Sequence, residues 1–160
     1  MISLTPLLAL LKPAPQGWGK ALPWFRQVAG AAEFAQIRPD ALPLPACWLI
    51  RAADRVRHSG ERAEDVTLVF DAVIGITNVR HHAPGDTDDA LLLYRRAVKT
   101  VLLGYALDGT QPIQFAGGQV IEYAEGDLYW RDRYEFRALI DNWLPDPAPF
   151  DSIQYTGDSL

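Results

Sequence analysis

The chain has 160 residues, with 15 Lys plus Arg against 20 Asp plus Glu for a net charge of -5, and 49% of its residues are hydrophobic. This is an ordinary globular composition at a length that suits one domain and can bury a core without disulfide or metal staples, so disorder of the whole chain is excluded. The acidic balance removes a broad footprint for phosphate backbones, and a single cysteine removes a disulfide framework.

The opening "MISLTPLLALLKPAP" has an apolar stretch far short of the roughly 20 residues that cross a bilayer. It lacks the basic start and small-residue cleavage site of a secretion signal, so a reducing intracellular site of folding is expected. Leu4, Leu7, Leu8 and Leu11 at helical spacing predict a helix over Ser3 to Lys12, capped by Ser3 or Thr5 and ended before Pro13. "KPAPQGWGKALP" breaks regular structure with three prolines and two glycines, and Trp18 is placed to anchor that loop.

"WFRQVAG" predicts a short strand, and "AAEFAQI" a short helix whose Ala32, Phe34, Ala35 and Ile37 share an inner surface. After the turn-rich "PDALPLP", the near-continuous apolar run in "ACWLIRAADR" predicts a central strand buried on both sides. Cys47 within it reads as a small buried hydrophobe, since no activating neighbour accompanies it.

A turn at Ser59 and Gly60 leads to "EDVTLVFDAVIGITNVR", the best strand signal in the chain. Val66, Leu68, Phe70, Ala72, Ile74 and Ile76 fall on one face, and Thr67, Val69, Asp71, Val73, Gly75 and Thr77 on the other. Pro84 and Gly85 then turn the chain into a helix with an acidic first turn, capped by Asp86 or Thr87 and stopped at Gly104. Its Leu91, Tyr94, Ala97, Val98, Val101 and Leu102 repeat on an inner stripe, while Arg95, Arg96 and Lys99 are expected to face water or a partner.

Beyond Pro112, a hairpin is expected from Gln119 to Tyr123, a turn over "AEGD", and Leu128 to about Ile140. Its outgoing strand contains "GDLYWRDRYEF". Alternation puts Leu128, Trp130, Asp132, Tyr134 and Phe136 on one face and Tyr129, Arg131, Arg133, Glu135 and Arg137 on the other. The last stretch alternates prolines with acidic and aromatic residues and reads as an extended arm with Trp143, Phe150, Ile153 and Tyr155 as anchors. The expected division is a body of residues 1–140 and an arm of residues 141–160.

Three clusters invite a chemical reading. His81 and His82 with Asp86, Asp88 and Asp89 look like metal ligands, but adjacent histidines in an extended loop point apart and acids there suit a helix start. Asp132 and Glu135 among arginines could form an acid-base pair, yet alternating charge along one strand face is the usual makeup of a solvated face or an interface. Aromatics and arginines also stack on single-stranded bases, but interleaved carboxylates oppose that, and Gly117 and Gly118 belong to no phosphate-binding fingerprint. Aromatic residues and Arg are enriched at protein interfaces, which is the reading the residues favour.

The order and spacing of "VAGAAEFA" at 28–35, "PACWLIRAADR" at 45–55, "ITNVR" at 76–80, "VLLGY" at 101–105 and the closing "YWRDRYEF" resemble the tail terminator proteins of long-tailed phages and related prophages. The resemblance covers most of residues 1–140 and leaves the arm unmatched. It implies a single-domain α+β subunit, a mixed or antiparallel sheet with helices packed on it, that assembles as a hexameric ring. It further implies a non-enzymatic virion protein, made in the bacterial host cytoplasm, that caps the tail tube at the end nearest the head. Implied partners are further copies of itself, the tail tube protein, a head-completion or neck protein and the tape-measure protein. No cofactor, metal, specific nucleic acid or membrane is expected.

On this reading Tyr129, Arg131, Arg133, Glu135 and Arg137 carry ring contacts, with complementary contacts from Asp71, Arg80, Arg95, Arg96 and Lys99. The runner-up is a neck or head-tail adaptor protein of the same particle, and a third reading is a small intracellular enzyme using His81 or His82 with the acidic loop.

Overall fold

The most buried strand organises everything else. In a computed structural model that describes residues 2–36, 43–77, 86–124 and 126–141, five strands form one sheet: β1 (Gln27–Ala29), β2 (Ala46–Ser59), β3 (Ala63–Thr77), β4 (Gln114–Ala124) and β5 (Asp127–Asp141). Their order is β1-β2-β3-β5-β4, so β3 is central. All pairings are antiparallel except β1 with β2, which makes the sheet mixed.

The six residues expected on the inner face of β3, Val66 through Ile76, are all buried, as the alternation predicts. Helices α1 (Thr5–Leu11) and α3 (Asp86–Leu102) contribute to the core they share. From α1 come Leu7 and Leu11, and from α3 come Leu91, Tyr94, Val98 and Leu102. Phe70 stacks on Tyr134 of β5 with ring centroids 5.5 Å apart. The fold is α+β, as the resemblance implies.

Helix α1 is shorter than Ser3 to Lys12. Leu4 occupies the N-cap position, and the Ser3 hydroxyl accepts the Thr5 N–H outside the helix proper. Helix α2 (Ala31–Ala35) forms where expected, but its residues are exposed, so Ala32, Phe34 and Ala35 do not share an inner surface; Ile37 lies outside the described residues. The Phe34 ring reaches the sheet, meeting Trp48 edge-on at 5.3 Å.

The expectation of a strand buried throughout on both sides also needs correction. In β2 only Ala46–Leu49 are buried: Cys47 and Leu49 pack into the main core and Ala46 and Trp48 into a second, smaller one, while the rest of the strand is half-buried or exposed. The hairpin forms with longer arms than expected, since β4 begins at Gln114. Trp18 does anchor its loop: its indole donates to the Leu22 carbonyl at 3.0 Å and its ring packs against Trp24 and Tyr94.

Candidate functional site

The sheet face turned away from α1 and α3 has two parts. At one end Ala29, Leu44, Ala46, Trp48 and Val73 make a small second core, with Ile50 and Tyr129 at its margin. Gly75 permits this packing, since a Cβ there would lie 2.8 Å from Leu44 and 3.0 Å from the Tyr129 ring. Burial, reinforced by the charges of Asp127 and Glu122, raises the pKa of Tyr129, so its hydroxyl stays neutral.

The other part is polar. Register sets Arg133 beside Asp71, Arg131 beside Val73, Glu135 beside Val69 and Arg137 beside Thr67. Arg133 donates to both oxygens of Asp71, at 2.7 and 3.0 Å, while Arg131 lies 3.8 Å from the same carboxylate. Arg137 donates to both oxygens of Asp65, with Nε at 2.7 Å, and Arg55 of β2 reaches Glu135 at 3.7 Å.

These long side chains close over the central strand. Asp71 and Val69 are buried on the face turned away from α1 and α3, where arginine stems lie across apolar surface and leave their heads in water. The fork geometry of Arg suits two-point pairing with a carboxylate. It holds the pKa of Asp65 below its ordinary value, chiefly through the hydrogen bond from Arg137, and the bond to Asp71 raises that of Arg133.

Four of the five expected contact residues of β5 thus sit together on one half-exposed ladder with Asp71, and Tyr129 stands at its apolar end. Arg80 lies outside the described residues, as do His81, His82 and the arm anchors Trp143, Phe150, Ile153 and Tyr155. Among the described residues, no three His, Cys, Asp or Glu side chains gather where a metal could bind. Asp65 and Arg55 were not singled out from sequence, although strand register is the signal that pairs them with β5.

The helix residues divide. Arg96 is exposed, and Lys99 sets its ammonium 3.7 Å over the Phe115 ring. Arg95 instead turns inward, contrary to the expectation that it faces water: its Nε and Nη2 reach the fully buried Asp132 at 2.9 Å, and its guanidinium stacks 4.4 Å over Trp130. The Trp130 indole also donates to Asp132, at 2.8 Å. Gly118 of β4 makes room, for a Cβ there would come within 2.3 Å of Asp132 Oδ1. Two sequence signals point to this pair. Asp132 has core parity on its strand, and Arg95 lies four residues after Leu91 and three before Val98, on the inner stripe.

Both ion-paired clusters fix side chains in place; neither sets a nucleophile beside a base. The class so defined is a small α+β domain whose sheet has one face closed by helices and the other carrying an ordered, half-exposed charge ladder.

The family model described as phage tail terminator protein matches residues 12–143, and the chain belongs to that family. It is therefore a structural component of a phage tail, and its partners are other tail or virion proteins. Among curated proteins no relative matches the chain.

Proposed function

We propose that the chain caps the tail tube at its head-proximal end as a hexameric ring, stops tube polymerisation there, and offers its other side to a head-completion or neck protein. Residues 1–140 form the assembling body, and residues 141–160 are an arm appended to it. The tail tube protein, the tape-measure protein and further copies of the chain are the partners. The role requires no chemistry.

The observation that carries this reading is the ladder of Arg131, Arg133, Glu135 and Arg137, paired yet half-exposed on the sheet face turned away from α1 and α3. A guanidinium has five donors, and the bond to Asp71 uses two of those on Arg133. A closed ring needs two different complementary patches on each subunit. The ladder supplies one. The second draws on Arg96 and Lys99 of α3, on Arg80, and on the long edge strand β4, where Val120 and Ile121 are exposed.

The test is light-scattering mass and negative-stain imaging of the protein alone and with purified tail tubes. Six-fold rings or density at one tube end are expected. Arg131→Glu should abolish both while the monomer stays folded, because Arg131 holds Asp71 only loosely. Arg133→Glu is a poorer probe, since it strips Asp71 of its main partner. Rings that form as readily from the Arg131→Glu chain would remove the ladder from the interface, and a chain that never joins tubes would overturn the capping role.

A further inference from the structure

Between α1 and β1 the chain builds a surface that the ring reading does not use. Trp18 is fixed by its bond to the Leu22 carbonyl and by edge and tilted contacts with Trp24 and Tyr94, at 4.9 and 5.2 Å, yet it remains half-exposed. Around its ring a shallow hollow is lined by Gly17, Gly19, Ala21, Leu22 and, from α3, Leu93, which is 47% exposed. Such a wall has an apolar body and small residues at its lip, the character of sites that take proline and aromatic side chains.

The segment that carries the hollow has charge of one sign in its sequence. Residues 1–32 include Lys12, Lys20 and Arg26 but no Asp or Glu, and the charge of Arg26 is felt at Tyr94. On the helix side Asp89 lies one turn before Leu93, and Arg96 nearly one turn after it.

We propose that this hollow seats the C-terminal arm of the chain, residues 142–160, through its run from Trp143 to Phe150. That run is "WLPDPAPF", with prolines at 145, 147 and 149 between two aromatics. The arm carries Asp146, Asp151 and Asp158 and no Lys or Arg, the complement of the carboxylate-free loop. Proline-rich segments dock on aromatic walls with little loss of chain entropy because they are already extended. Nineteen residues beyond Asp141 span up to roughly 60 Å when extended, so reach does not restrict the contact. The arm from residue 144 onward lies beyond the residues that the family model matches. It stands independently of the ring.

The test places thiols in the full chain, where Cys47 is buried and does not compete. Leu93→Cys with Ser152→Cys should form a disulfide in oxidised glutathione roughly tenfold faster than Ile121→Cys with Ser152→Cys, since docking raises the effective concentration of the first pair. Replacing Pro145, Pro147 and Pro149 by Gly should erase that advantage and speed amide exchange over residues 16–22 several-fold. Equal rates for the two pairs, faster closure at position 121 on the β4 edge, or exchange over 16–22 that ignores the prolines would overturn the proposal. Because the disulfide is read in whatever assembly the chain adopts, failure here leaves the ring proposal standing, and failure of the ring leaves this test intact.

Discussion

Removing the Asp132 carboxylate tests whether the inner ion pair fixes α3 to the sheet. Asp132 is fully buried and the Arg95 side chain is 17% exposed, so Asp132→Ala leaves a guanidinium, already largely out of water, facing a gap, and takes the acceptor from the Trp130 indole. Breaking one side of a buried pair costs about 3–5 kcal/mol, whereas replacing both members by apolar groups of similar size is often neutral. At this chain length each kcal/mol moves the melting temperature by about 2–4 °C, so a loss on the order of 10 °C is expected. Urea unfolding at one fixed protein concentration should show Asp132→Ala destabilised by about 3–5 kcal/mol and Arg95→Met with Asp132→Leu recovering most of that. An Asp132→Ala chain within about 1 kcal/mol of the parent, or a double variant worse than the sum of its singles, would refute the reasoning.

Acid should act through the outer ladder. Because Arg137 keeps the folded-state pKa of Asp65 below 3.8, the unfolded chain takes up that proton first as pH falls, and the stability the pair gives is present above the unfolded value and lost through the lower, folded one. The stability gap between the parent and Arg137→Leu should therefore shrink between about pH 7 and about pH 2.5, and a constant gap would contradict it. Burial pushes the Cys47 thiol up to about 12, so a thiol reagent at about pH 8 should label it only as fast as the protein opens, and immediately in denaturant. The Tyr134 hydroxyl is buried with no hydrogen-bond partner among the described residues, so Tyr134→Phe should be neutral or stabilising by up to about 1 kcal/mol; a loss larger than that in urea titration would show a missed partner.

What could be read in the sequence was whatever local periodicity determines. The alternation in β3 and the inner stripe of α3 follow from their own residues, because the apolar positions of each pack into the same core. The extent of β2 burial did not follow: "ACWLI" announces a core strand, but how far burial extends depends on packing partners distant in sequence, such as Val73 and Tyr129 beside Trp48. Helix α2 failed in a similar way, since five residues next to a sheet edge need not have an inner side. The charge ladder was half legible. Parity separated its residues from the core face of β5, but partners 62 and 72 residues away depend on register, which alternation alone does not fix.

Strand β5 explains why a charged face can be both stable and available. Its inward side, Leu128, Asp132, Tyr134, Phe136 and Ala138, is buried, and Asp132 there ties it to α3. The strand is thus held from behind, with β3 and β4 on its flanks. Its outward arginines then meet carboxylates on the central strand. Their heads are oriented by those bonds while their stems keep water off Val69 and Asp71. A partner that met the ladder would find side chains already ordered, so less rotamer freedom is lost on contact than with unpaired lysines. The same pairing makes wrong partners costly, because any rearrangement that frees Arg133 exposes the need of a buried Asp71 for a cation. On the proposed reading, the ladder therefore favours contact with a fixed geometry over general stickiness, as a ring that must close at one copy number requires.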